Sequence, residues 1–138
     1  GFSDAGAHLR NMAHYSFPLR MLKLVRDAEN RGEGFMTTER AVQRLTGEIA
    51  EWFGLPNGRI AEGVTADLVV VDPMGLDERL DAVKEVEMPG FDGLKRLVRR
   101  SEGAVPTVVI NGQIAARHGQ PVPELGRAHG FGRVLSPS

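Results

Sequence analysis

The first half of the chain repeats apolar residues at helical spacing. Between residues 17 and 30, Leu19, Leu22, Val25 and Ala28 recur every third position, while Arg20, Lys23, Arg26, Asp27 and Glu29 fall mainly on other faces. This pattern predicts an amphipathic helix ended at Arg31-Gly32. A second helix is expected where Thr37 or Thr38 can act as N-cap. Glu39 would then sit in its first turn, where a carboxylate suits the positive end of the helix dipole, and Ala41, Val42 and Leu45 would face inward. Thr46-Gly47 interrupts the pattern, so Thr46 is expected to cap a third, short helix over residues 48–53. Gly54 stops that helix and Pro56 keeps it from resuming.

Past Asn57-Gly58 the period changes. Residues 64–72 contain Leu68-Val69-Val70-Val71 between Asp67 and Asp72-Pro73, a β-branched run that reads as a buried strand. Residues 74–87 are acidic and weakly patterned, and read as a loop with one helical turn. In residues 94–100, Leu97-Val98 fits a strand or a short helix, and the pattern does not decide between them. Thr107-Val108-Val109-Ile110, Asn111-Gly112 and Gln113-Ile114-Ala115-Ala116 predict a hairpin, because Asn-Gly accepts the positive φ angles of a type I′ turn. The Gly- and Pro-rich tail, residues 119–138, is expected to wrap a surface or fill a sheet edge.

Composition narrows the possibilities. The chain has 138 residues, 41% hydrophobic and 25% charged, which suits one ordinary domain or a compact pair of small pieces. With 17 Lys+Arg against 18 Asp+Glu the net charge is -1, so no field steers it toward nucleic acid or an anionic membrane. The absence of cysteine removes disulfides, thiolate metal sites and cysteine nucleophiles. No apolar run approaches the roughly 20 residues of a membrane span, and GFSDAGAHLRNM lacks the features of a signal peptide. A soluble, cytoplasmic protein is the expectation. The chain opens without Met, on what reads as the end of a strand and a functional loop, so a truncated piece of a longer protein is also expected.

Ser3-Asp4-Ala5-Gly6-Ala7-His8 is the first candidate for chemistry. A carboxylate directly before small residues can project from a strand end into an open site, although Asp and Gly also suit an ordinary turn. A triad of Ser3, His8 and Asp4 is disfavoured, because triads are assembled in space rather than within six residues of chain. His8 and His14 are not spaced for one helical face, and with His118 and His129 they suggest no metal site. Arg96, Arg99 and Arg100, beside Glu102, read as a solvated face. No Gly-rich phosphate loop occurs.

Three segments in order, GFSDAGAH, AVQRLTGEIAEWFGLPNGRIAEGVTADLVVVDP and VPTVVINGQIAARHGQP, resemble the closing third of an amidohydrolase-superfamily enzyme. They are most similar to N-acyl-D-amino-acid deacylases (D-aminoacylases). The resemblance implies an α/β fold, the C-terminal fragment of a metal-dependent TIM barrel followed by a small β-rich, β-sandwich-like domain. Residues 1–55 would end the barrel with its last strand, rim loop and helices. Residues 56–138 would form the β-rich domain, entered through Gly58-Arg59-Ile60, Gly63 and Ala66-Asp67-Leu68-Val69-Val70.

The same resemblance implies that Asp4 lies at the end of the last barrel strand, facing a metal site. The metal, expected to be zinc, would lower the pKa of a bound water and polarise an amide carbonyl. Asp4 would move the proton from that water to the departing nitrogen. An N-acyl amino acid or related amide is the implied partner, with Arg10 as the fork for its carboxylate and Ser3 and His8 as lesser contacts. The family's histidine ligands lie on earlier strands, so the chain alone is expected to be inactive, and to associate with itself or with a missing N-terminal segment. Two rivals stand beside this reading: a hydantoinase- or dihydropyrimidinase-like cyclic amidase, and a non-catalytic assembly or binding module in which Asp4 caps a turn.

Overall fold

The computed structural model describes residues 13–88, 90–99 and 101–136. A 3-10 turn, Ala13–Ser16, leads into helix α1, Phe17–Asn30, whose second residue, Pro18, lies where a helix has no intrahelical use for an N–H. Arg31 closes the helix, and Gly32 follows with φ of 73°. Helix α2, Thr38–Leu45, starts as expected: the Thr37 hydroxyl accepts a hydrogen bond from the Arg40 N–H at 3.2 Å. Helix α3, Gly47–Trp52, follows directly.

Two expectations fail here. Thr46 does not cap α3 with its side chain; its hydroxyl donates instead to the Val42 carbonyl at 2.8 Å, bonding back into the preceding helix. Val42 does not face inward but is 44% exposed, while Ala41 on the neighbouring position is fully buried. Helix α2 packs on α1 through a narrow face, and a side chain as small as alanine allows that approach.

Among the described residues six strands make two antiparallel sheets. Strands β1 (Leu68–Val70), β4 (Thr107–Ile110), β5 (Gln113–Arg117) and β6 (Gln120–Pro121) are ordered β1-β4-β5-β6. Strands β2 (Lys84–Glu87) and β3 (Lys95–Val98) pair separately. The hairpin is the expected one: Asn111 and Gly112 have φ of 50° and 77°, and Ile110 faces Gln113 in register. A register shift between Val108 and Val109 inserts one extra residue on the β5 side. The tail fills the far edge of this sheet as β6. It also ties back, since the Asn111 amide donates to the Gly130 carbonyl at 3.0 Å and Arg133 donates to the Thr65 hydroxyl at 2.5 Å.

The buried-strand reading of residues 64–72 is corrected. Among the described residues strand β1 has one neighbour, and Val69 and Val70 are 58% and 50% exposed. A β-branched run reports strand propensity, whereas burial depends on what layer covers each face. Residues 74–87 are likewise more ordered than a loop. Asp72 and Asp77 accept from the Met74 and Arg79 N–H groups, both at 2.9 Å, and each opens a short 3-10 turn, Pro73–Gly75 and Glu78–Leu80. Strand β2 then follows. The undecided Leu97-Val98 lies on β3, where Glu87 stands opposite Lys95 and Glu85 pairs with Lys95 at 3.7 Å.

The main core lies between α1 and these turns. Leu76, Leu80 and Ala104 are buried together, with Leu19, Leu22, Val71 and Val105 packed against them. Gly75 is required for this closure, because a Cβ there would come within 2.4 Å of the Gly103 and Ala104 backbone. The described residues therefore form helices and antiparallel sheets, and no parallel barrel strand occurs among them.

Candidate functional site

Ser3, Asp4, His8 and Arg10, the residues expected to carry chemistry and substrate binding, lie outside the described residues. The structure describes how the chain that follows them is anchored. The turn Ala13–Ser16 packs against β3, and Ser16 and Val98 are both buried. Helix α1 then lays Leu19 and Leu22 on the core. From the same helix Arg26 donates to the Leu76 carbonyl at 2.6 Å and to the Pro73 carbonyl at 2.5 Å, the latter also accepting the Leu76 N–H that closes the 3-10 turn.

A charged network lines one rim of this contact. Lys23 lies 3.0 Å from both Asp27 and Asp81, Arg20 lies 3.2 Å from Asp81, and Arg26 lies 2.6 Å from Asp27. The hydrogen bonds to Asp27 and Asp81 raise the Lys23 pKa above its ordinary value. Asp27 is held below the usual carboxylate range, first by Arg26 and then by Lys23, and Asp81 is held below it chiefly by Lys23. Lys23, Asp27 and Asp81 therefore keep their charges near neutral pH, so Lys23 is not a nucleophile and neither carboxylate is a general acid there. The open cleft beside it, about 440 Å³ and bordered by Phe17, Met21 and Leu24, is a structural seam by this chemistry.

A second open cleft of about 470 Å³ lies where Thr38, Glu39 and Val42 of α2 face Gly58 and Arg59. Glu39 is held below its ordinary pKa by backbone and Thr37 hydrogen bonds at the start of α2, which makes it a helix-end group. His118, with φ of 49°, and His129 are both exposed. Among the described residues no group of three or more His, Cys, Asp or Glu could hold a metal ion, so the described part does not fit a metal centre. No helix among them is long and apolar enough to cross a membrane.

The basic cluster is not uniformly solvated. Arg96 is half-buried and donates to the Lys95 carbonyl at 3.0 Å, while the buried Arg99 Nε has no partner among the described residues. The neighbouring Leu97-Val98 was the available sequence signal, since an arginine directly after a strand that ends buried has its stem drawn inward.

The amidohydrolase family profile matches residues 3–115. Uncharacterized proteins of Mycobacterium tuberculosis and Mycobacterium bovis are 51% identical over 120 residues, covering 87% of this chain and 20% of each relative. A dihydroorotase of Bacillus thuringiensis is 38% identical over 66 residues, covering 48% of this chain and 14% of that protein. The chain thus spans about a fifth of the length of the mycobacterial relatives, less than the third expected. No solved structure matches it. With the match running from the SDAGAH segment into β5, this chain belongs to the amidohydrolase family.

Proposed function

We propose that the chain is part of a metal-dependent hydrolase acting on a non-peptide C–N bond, with N-acyl-D-amino acids as substrate class and Asp4 as proton shuttle. The observation that carries this reading is the family match, which begins at residue 3 and so includes Ser3-Asp4. Water adds to the acyl carbon and gives a proton to the Asp4 carboxylate. Asp4 returns that proton to the departing nitrogen, the C–N bond breaks, and a carboxylic acid and an amine leave. Arg10 takes the substrate carboxylate, with Ser3 and His8 as lesser contacts. Zinc is the proposed metal; the described residues supply no ligand set for it.

A second reading, a hydrolase of cyclic amides, is favoured by the relatives named dihydroorotase. In either case the remaining parts of a longer chain, or a second copy, are proposed to complete the site. The test is an assay of the longest product of the open reading frame on N-acetyl-D-amino acids and dihydroorotate side by side. Asp4→Ala is expected to lower turnover by about 10²-fold to 10⁴-fold. Turnover of the cyclic substrate alone would select the second reading. Unchanged turnover in Asp4→Ala would overturn the assignment of Asp4 and favour a turn-capping role in a binding module.

A further inference from the structure

The β4–β5 turn is one of two Asn-Gly pairs in the chain, the other being Asn57-Gly58. Asparagine is a chemically labile residue, and a following glycine has no Cβ to shield its backbone nitrogen from the asparagine side-chain carbon. Asn111 and Gly112 are both exposed, and nothing lies within 4 Å of where a Cβ on Gly112 would stand. Access alone therefore marks Asn111 for rapid loss of its amide.

Hydrogen bonds from two distant segments oppose that loss. The Gly112 N–H, on the nitrogen that would attack, donates to the Ala66 carbonyl at 2.9 Å. The Asn111 side-chain nitrogen, which would leave, donates to the Gly130 carbonyl at 3.0 Å. The Asn111 backbone N–H donates to the Asp67 carboxylate at 2.7 Å, and all three bonds are of ordinary length. The tail is itself fastened, because Arg133 donates to the Thr65 hydroxyl and Gly130 sits where a Cβ would run into the Gln113 side chain.

We propose that Asn111 is a latent deamidation site, held closed by Ala66, Asp67 and Gly130 and opened when either segment lets go. On opening, the Gly112 nitrogen yields its proton to solvent and bonds to Asn111 Cγ. The Cγ–Nδ2 bond then breaks, and ammonia leaves with a proton regained from solvent. Water opens the resulting cyclic imide at either carbonyl and leaves an aspartyl or isoaspartyl link. Both products put a second carboxylate beside Asp67, and the isoaspartyl link adds a backbone carbon to the turn that sets the β4–β5 register. The inference is independent of the hydrolase reading, because it needs neither Asp4 nor a metal.

The test incubates the longest product of the open reading frame in warm, mildly alkaline buffer and follows, by mass spectrometry of tryptic peptides, the exchange of an amide for an acid. Trypsin places Asn111 and Asn57 on separate peptides, so Asn57-Gly58, outside these three bonds, serves as the internal reference. Asn111 is expected to react about tenfold or more slowly than in a synthetic peptide of residues 107–116, since two bonds must break before attack. Asp67→Ala should speed Asn111 about fivefold, the loss of one bond. Arg133→Ala, an exposed change that frees the tail, should speed it by a smaller factor, with Asn57 at its parent rate in both variants. A rise confined to Asn111 in either variant, over a parent rate below that of the peptide, supports the inference. It is overturned by a parent rate equal to that of the peptide, or by an Asn111 rate that neither variant changes. A rise that Asn57 shares equally in both variants also overturns it, because that reports a lost fold and not a released turn.

Discussion

The seam between α1 and the turns at residues 73–80 holds by burial, whereas the β4–β5 hairpin holds by backbone geometry. In the seam, Leu19 and Leu22 meet Leu76 and Leu80 across more than fifty residues of chain, with Arg26 bonded to two carbonyls and salt bridges at the rim. In the hairpin, adjacent strands are half-buried, and two residues at positive φ fix the register. The contrast teaches that the most ordered local turn need not be where most of the stability resides, because apolar burial contributes far more per residue than a turn preference.

Truncation at the seam should have the largest effect. Leu80 has 0% exposure, and Leu80→Ala is expected to cost about 2–5 kcal/mol, read as a lower urea midpoint with an unchanged slope. A cost under about 1 kcal/mol would mean that the seam is not the main core. At the hairpin, Gly112→Ala keeps every contact, since nothing lies within 4 Å of the added methyl, but it strains a residue at φ of 77°. A loss of about 1–2 kcal/mol is expected, the cost of a left-handed conformation for a residue with Cβ. A loss equal to that of Leu80→Ala would erase the distinction between the two regions.

The rim should matter least. Asp81→Asn removes the partner of Arg20 and one of the two carboxylates at Lys23, but Asp81 and Arg20 are solvent-facing and Lys23 keeps Asp27, so the expected loss is under about 1 kcal/mol at neutral pH. Asp27 and Asp81 are depressed in the folded state, so their contribution is complete above the ordinary aspartate value of about 3.9 and is lost as pH falls through their lower folded values. Lys23 is raised, so its share persists below its ordinary value and disappears only as pH rises through the higher folded one. Urea melts of the parent and Asp81→Asn should therefore differ most near neutrality and converge below about pH 4. A gap that widens in acid would refute the ion-pair account.

Local signals in the chain were reliable where the physics is local. The spacing of Leu19, Leu22, Val25 and Ala28 marked the α1 face, Thr37 marked the start of α2, and Asn111-Gly112 marked the hairpin. Each rests on residues within one turn of each other. The failures involved distant partners. Val69 and Val70 were read as buried from their type, yet they are exposed, because a strand propensity does not say which layer covers each face. Residues 84–87 carried too little pattern to mark a strand until β3 supplied the opposing charges. Asp4 was legible only through resemblance, because an aspartate before Ala-Gly is compatible with an ordinary turn.

By itself the sequence determined the helical phase of α1, the start of α2, the hairpin turn and membership of the amidohydrolase family. These depend on neighbouring residues or on an ordered set of motifs. The tertiary structure alone decided that Leu80 is the centre of the core, that Gly75 must lack a side chain, and that Arg99 Nε and Ser101 Oγ are buried with no hydrogen-bond partner among the described residues. Burial, close approach and hydrogen-bond satisfaction are properties of pairs brought together by folding, and no single stretch of chain contains them.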